Sequence, residues 1–122
     1  MALNRPTGAE LIAAVRAFLE TEVAGQVTGA TRFNLRIAGS VLAIVERELA
    51  QRAPAEAAET ARLVALLAPD AGPGDDLVSL NRHLSAAIRA GRFDAPAAQR
   101  TLRDHLRATT AAKLAIDNPR YR

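Results

Sequence analysis

Apolar residues recur at three- and four-residue intervals along most of the chain. Nowhere do β-branched or aromatic residues alternate over four to eight positions, so the pattern predicts helices and no strand. Five helical segments follow. The first, at about 7–24, opens on Thr7 and Glu10 in capping-box spacing, carries Leu11, Ile12, Val15, Phe18 and Leu19 as its inward stripe, and stops at Gly25. The second, at about 30–52, spreads Phe33, Leu35, Ile37, Ala38, Val41, Leu42, Ile44, Val45 and Leu49 over more than half of its circumference. That breadth predicts a central helix touched by several others, ended by Pro54. The third, at about 54–67, starts on that proline with Glu56 and Glu59 near its positive end and buries Leu63, Val64, Leu66 and Leu67. Pro69, Gly72, Pro73 and Gly74 then break the chain. The fourth, at about 76–90, is capped by Asp75 or Asp76, presents Leu77, Leu80, Leu84, Ala87 and Ile88, and ends at Gly91. The fifth, at about 96–117, has Pro96 in its first turn, and Pro119 forbids its continuation.

The connections are short, which favours neighbouring helices packed antiparallel, and 122 residues make one domain. The expectation is an all-α, single-domain helical bundle of about five helices with no sheet. Alanine is abundant and Phe18, Phe33, Phe93 and Tyr121 are the only aromatic rings, so the core must be built from Leu, Ile, Val and Ala. The absence of cysteine excludes a disulfide framework, a thiol nucleophile and a thiolate metal site. The opening residues 1–6 lack the apolar run of a signal peptide, and no stretch approaches the roughly 20 apolar residues of a membrane span. A cytoplasmic protein with no membrane association is expected.

Net charge is +3 and the pI about 10.5, but the cations are scattered arginines whose very high pKa inflates that value. Arg100, Arg103 and Arg107 do line one outer face of the last helix. With Asp104 beside them and few aromatics for base stacking, a solvated face is favoured over nucleic-acid binding.

Polar residues on apolar faces carry the candidate chemistry. Asn34 and Glu48 fall within the apolar arc of the second helix, and His105, Thr109 and Lys113 follow one another at four-residue intervals on the fifth. Lys113 is the only lysine beside fifteen arginines. Its ammonium needs a carboxylate, with Glu22, Glu48 and Asp117 as candidates, or a path to solvent along its stem. The bland reading, a lysine pointing outward near a helix end, is favoured over a buried pair or a ligand-binding role. His105 reads more readily as a core or rim histidine than as a base. Metal binding would need a second histidine or paired carboxylates at helical spacing, but His83 sits on another helix off its main stripe and no HExxH or ExxH pattern occurs. Ser40, Ser79 and Ser85 lack a nucleophile elbow, and the 71–76 loop lacks the spacing and the lysine of a phosphate cradle. No catalytic residue, metal or cofactor is assigned. The closing Asn118-Pro119-Arg120-Tyr121 is either docked on the bundle, the favoured reading, or offered to a partner, which adds Arg120 and Tyr121 to the binding candidates.

Three blocks resemble a known family. They are Arg5-Pro6-Thr7-x-x-Glu10-Leu11, Phe33-Asn34-Leu35-Arg36-Ile37-Ala38 with Ala43-Ile44-Val45-Glu46-Arg47-Glu48-Leu49, and Leu106 to Tyr121 with Lys113-Leu114-Ala115-Ile116-Asp117-Asn118-Pro119-Arg120-Tyr121 at its end. Together they are similar to an uncharacterised bacterial family of small helical domains of unknown function. Its members are encoded beside, or fused to, aminoglycoside-phosphotransferase-like kinases, near acyl-CoA dehydrogenases. The closing block is the most specific; at Asn34 the family carries His or Tyr as often as Asn. The resemblance implies no activity and no catalytic residues. It implies a context, and with it the expected function: a non-catalytic accessory or interaction domain partnering such a kinase or an acyl-CoA-handling enzyme, with homodimer formation as a further expectation. The alternative is a small ligand binder or enzyme with a polar pocket between the second and fifth helices, where Glu48, His105, Thr109 and Lys113 would converge. A further alternative is nucleic-acid binding through the arginine stripe.

Overall fold

The computed structural model describes residues 4–121, and among them every regular element is helical. The order is α1 (Gly8–Phe18), a π-helical turn (Leu19–Val23), a 3-10 turn (Ala24–Gln26), α2 (Gly29–Leu67), α3 (Leu77–Arg89) and α4 (Pro96–Asp117). The last two match the segments expected at 76–90 and 96–117. Two expectations need correction. The segments at 30–52 and 54–67 form one helix of 39 residues with Pro54 in its interior, so the described residues hold four α-helices rather than five. A proline inside a helix removes one backbone donor and crowds the preceding turn, a cost of about 3 kcal/mol. The residues around it, Ala53, Ala55, Ala57 and Ala58, are the best helix formers, and Leu63 and Leu67 downstream are completely buried, which offsets that cost. The segment at 7–24 is not uniformly α-helical either. Past Phe18 it widens into the π turn, where the Thr21 hydroxyl donates to the Ala17 carbonyl at 2.7 Å and the Gln26 amide to the Glu22 carbonyl at 3.0 Å.

The chain divides into two compact units, one running to Arg52 and including Ile116–Asn118, the other comprising Ala53–Ala115 and the residues from Pro119. The boundary falls between Arg52 and Ala53, one residue before Pro54, within α2.

In the first unit α1 runs antiparallel to the early part of α2. Gly8 lies against Leu49 and Glu20 against Gly39, each so closely that a Cβ on the glycine would meet its neighbour at 3.3 and 3.2 Å. Midway, Arg16 donates to Glu46 through Nε at 3.0 Å and through its terminal nitrogen at 2.8 Å, and also faces Glu20 at 3.5 Å. The capping box at the start of α1 is only half formed. Thr7 Oγ1 accepts from the Glu10 amide at 3.2 Å, while the Glu10 carboxylate turns to Arg5 at 2.9 Å. Arg47 donates to the Ile116 carbonyl at 2.8 Å, satisfying one of the carbonyls left open at the end of α4.

The second unit holds the buried core. Leu63 and Leu67 of α2, Leu80, Leu84 and Ala87 of α3 and Phe93 of the following turn form one cluster, onto which Ala98 and Leu102 of α4 pack. Helix α3 starts where the Asp76 carboxylate accepts from the Ser79 amide at 2.7 Å, a bond that holds the Asp76 carboxyl below its usual range. It ends in a Schellman turn, with Arg92 N–H on the Ala87 carbonyl, Gly91 N–H on that of Ile88, and Gly91 at φ +81°. Among the described residues no helix is long and apolar enough to cross a membrane.

Candidate functional site

The polar groups expected on α4 meet a residue that the spacing of α4 alone does not show. His105 is only 4% exposed, and its Nδ1 accepts a hydrogen bond from Arg62 Nε at 3.1 Å. A terminal nitrogen of the same guanidinium donates to Thr109 Oγ1, also at 3.1 Å. Because guanidinium can only donate, the His105 ring must present a bare Nδ1 and carry its proton on Nε2. Burial is the main force pushing the His105 pKa down, Arg62 adds to it, and Glu59 opposes both. Glu59 is itself buried, one helical turn before Arg62 and on the same face as Leu63, Leu66 and Leu67. The result is a neutral imidazole held by a cation, with a buried carboxylate acting on its charge, inside the second unit.

The remaining sequence candidates do not join it. Lys113 is exposed, the reading favoured for it, and so is Asn34, although it falls within the arc expected to face inward. Asn34 lies in water because the apolar residues around it do too, Phe33 at 63% and Ile37 at 49% exposure. Glu48 belongs to the other unit, where it accepts from Arg52 at 3.0 Å. Arg120 is exposed and Tyr121 is 64% exposed, against the expectation of a docked tail. Arg100, Arg103 and Arg107 are solvated as expected. No group of three or more metal-ligating side chains occurs among the described residues.

The first unit carries a second feature, a groove of about 480 Å³ between the π turn and the start of α2. Arg32, Arg36 and Ser40 line it at successive four-residue steps along α2, Leu35 contributes an apolar wall, and Glu20 of the π turn stands opposite, over Gly39. Among the described residues neither Arg32 nor Arg36 has a hydrogen-bonding or ion-pair partner.

The same unit leaves large apolar side chains in water. Leu11, Val15 and Phe18 on α1 and Phe33, Ile37 and Val41 on α2, six of the residues expected to face inward, are each about half exposed or more, with Phe33 at 63%. A model of the domain of unknown function DUF6285 matches residues 25–121, from the 3-10 turn to the tail. The chain belongs to the DUF6285 family. The match spans the groove arginines, all of α2 and the His105 cluster, while α1, the π turn and with it the Glu20 wall of the groove precede the matched residues. No curated protein and no solved structure matches the chain.

Proposed function

We propose that this DUF6285 protein is a non-catalytic interaction domain whose first unit docks onto another protein. The partner to test first is an aminoglycoside-phosphotransferase-like kinase or an acyl-CoA-handling enzyme encoded beside it. The observation that carries the reading is the set of six half-exposed hydrophobics on α1 and α2. Two helices that each present leucine, valine, isoleucine or phenylalanine at i, i+4 and i+7 or i+8 offer continuous apolar rows, the feature that distinguishes an interaction face from scattered exposed residues. Covering the exposed half of six such side chains is worth roughly 5–9 kcal/mol at about 1.5–3 kcal/mol for each full burial. That is enough to meet the lower range of association costs. The polar chemistry supports the same view, because His105 and Thr109 are engaged by Arg62 and so spent on structure.

Co-expression with the neighbouring kinase-like protein should give a complex on size exclusion at micromolar concentration, and Ile37→Asp should release the partner while keeping the helical signal. Separate elution of the two wild-type proteins under those conditions overturns the partner assignment. A doubled mass for the chain alone in light scattering, abolished by the same substitution, would assign the face to a second copy instead.

A further inference from the structure

We infer that the groove beside the π turn is a binding site for a small organic phosphate, held by Arg32, Arg36 and Ser40 and independent of the docking face. Several costs converge on this place. Two guanidiniums four residues apart on a helix are neighbours and repel each other. Arg32 also lies in the first turn of α2, where the helix presents its positive end and unbonded amides, and the first turn holds no acidic residue to balance it. Elsewhere in the first unit Arg5, Arg16, Arg47 and Arg52 all have a bonded partner, yet these two, which line the groove, have none among the described residues. An anion between them removes the repulsion and converts both fork-shaped donors into charge-assisted, bidentate contacts, with the Ser40 hydroxyl as a third donor.

The far wall defines the rest of the ligand. The Glu20 carboxylate repels a phosphoryl group but accepts from a hydroxyl or ammonium, so the phosphate sits at the arginine end with a donor-bearing body reaching towards Glu20. Leu35 provides the apolar contact for that body. The π turn, a feature that recurs at functional sites, aims Glu20 there. Gly39 gives it room, since a Cβ at that position would stand 3.2 Å from the Glu20 oxygen.

Amide correlation spectra of the full chain at constant ionic strength test the assignment, with phenyl phosphate, inorganic phosphate and benzoate as probes. Saturable shifts confined to residues 20–24 and 32–43 are expected, with phenyl phosphate tighter than inorganic phosphate and benzoate weakest. Arg36→Gln should weaken phenyl phosphate by roughly tenfold, the scale of one charge-assisted hydrogen bond, and Glu20→Gln should tighten inorganic phosphate by removing a like charge. Both positions are exposed, so the unliganded spectra report directly whether either variant still folds. Linear shifts to high concentration, equal shifts around Arg100, Arg103 and Arg107, or unchanged affinity in a folded Arg36→Gln variant overturn the site. Benzoate binding as tightly as phenyl phosphate overturns the phosphate assignment.

Discussion

Replacing Arg62 by methionine keeps an unbranched stem over the core and removes only the guanidinium, so it isolates what that cation does for the second unit. Two acceptors lose their donor: His105 Nδ1, in a ring only 4% exposed, and Thr109 Oγ1, in a half-buried residue. A buried acceptor left without a partner costs about 1–3 kcal/mol. Arg62 is itself half-buried, and its removal returns part of the desolvation it suffers, so the lower half of that range applies, about 1–2 kcal/mol. For a chain of this length that lowers Tm by roughly 3–8 °C, readable by circular dichroism. The charge effect has the opposite sign on the imidazole. Without the nearby cation, and with Glu59 still present, His105 should titrate at higher pH than in the parent chain, which a histidine-resolved NMR titration measures. A double-mutant cycle with His105→Phe separates the pair from its surroundings. A parent-like Tm with His105 unmoved, or a coupling energy near zero, would refute the reasoning.

The same cluster gives the protein a pH dependence. The folded-state pKa of His105 lies below its ordinary 6.5, so across the window between the two the unfolded chain binds more protons than the native one. Stability is therefore fully present above about pH 6.5 and is lost as pH falls through that window. His105→Gln should flatten the profile there, and an equally steep loss in that variant would assign it to other groups. Leu63→Ala removes a completely buried side chain at the centre of the cluster and should cost about 2–5 kcal/mol in urea unfolding; a loss below 1 kcal/mol would mean that the core is not packed as described. Gly91→Ala forces a side chain into φ +81° and brings its Cβ to 2.9 Å from the Asp94 carboxylate, so a destabilisation of about 1–2 kcal/mol is expected, against near-neutrality for Ala90→Gly one position earlier.

Most of the helical architecture is legible in the residue pattern, because leucine spacing and end signals act locally. Asp76, Gly91, Pro96 and Asp117 bound α3 and α4 where capping and proline chemistry place them. Pro54 misled because a helix boundary is a balance. The alanines around it and the buried leucines beyond it outweigh the lost amide, and a local rule about proline does not contain that sum. The inward direction of Leu11, Val15, Phe18, Phe33, Ile37 and Val41 follows from periodicity only if every apolar face finds a partner within the chain, and these do not. The His105 cluster was half visible. His105 and Thr109 at i, i+4 pointed inward, but the donor is on α2, where Glu59 and Arg62 share the stripe of Leu63, Leu66 and Leu67 and so break its apolar pattern. That interruption, set beside the one on α4, was the available signal. For the groove no sequence rule existed, since it depends on a π turn, which is specified by no short motif.

The solitary primary amine of the lysine side chains, on the exposed face of α4, has a practical consequence. Acylating dyes, spin labels or bifunctional succinimidyl esters find a single side-chain amine here, distinct from a terminal α-amine that reacts first near neutral pH, and the fifteen arginines do not react with them. One labelled position on α4 then becomes a reference within the second unit for any visitor that carries a label of its own, with no engineered cysteine.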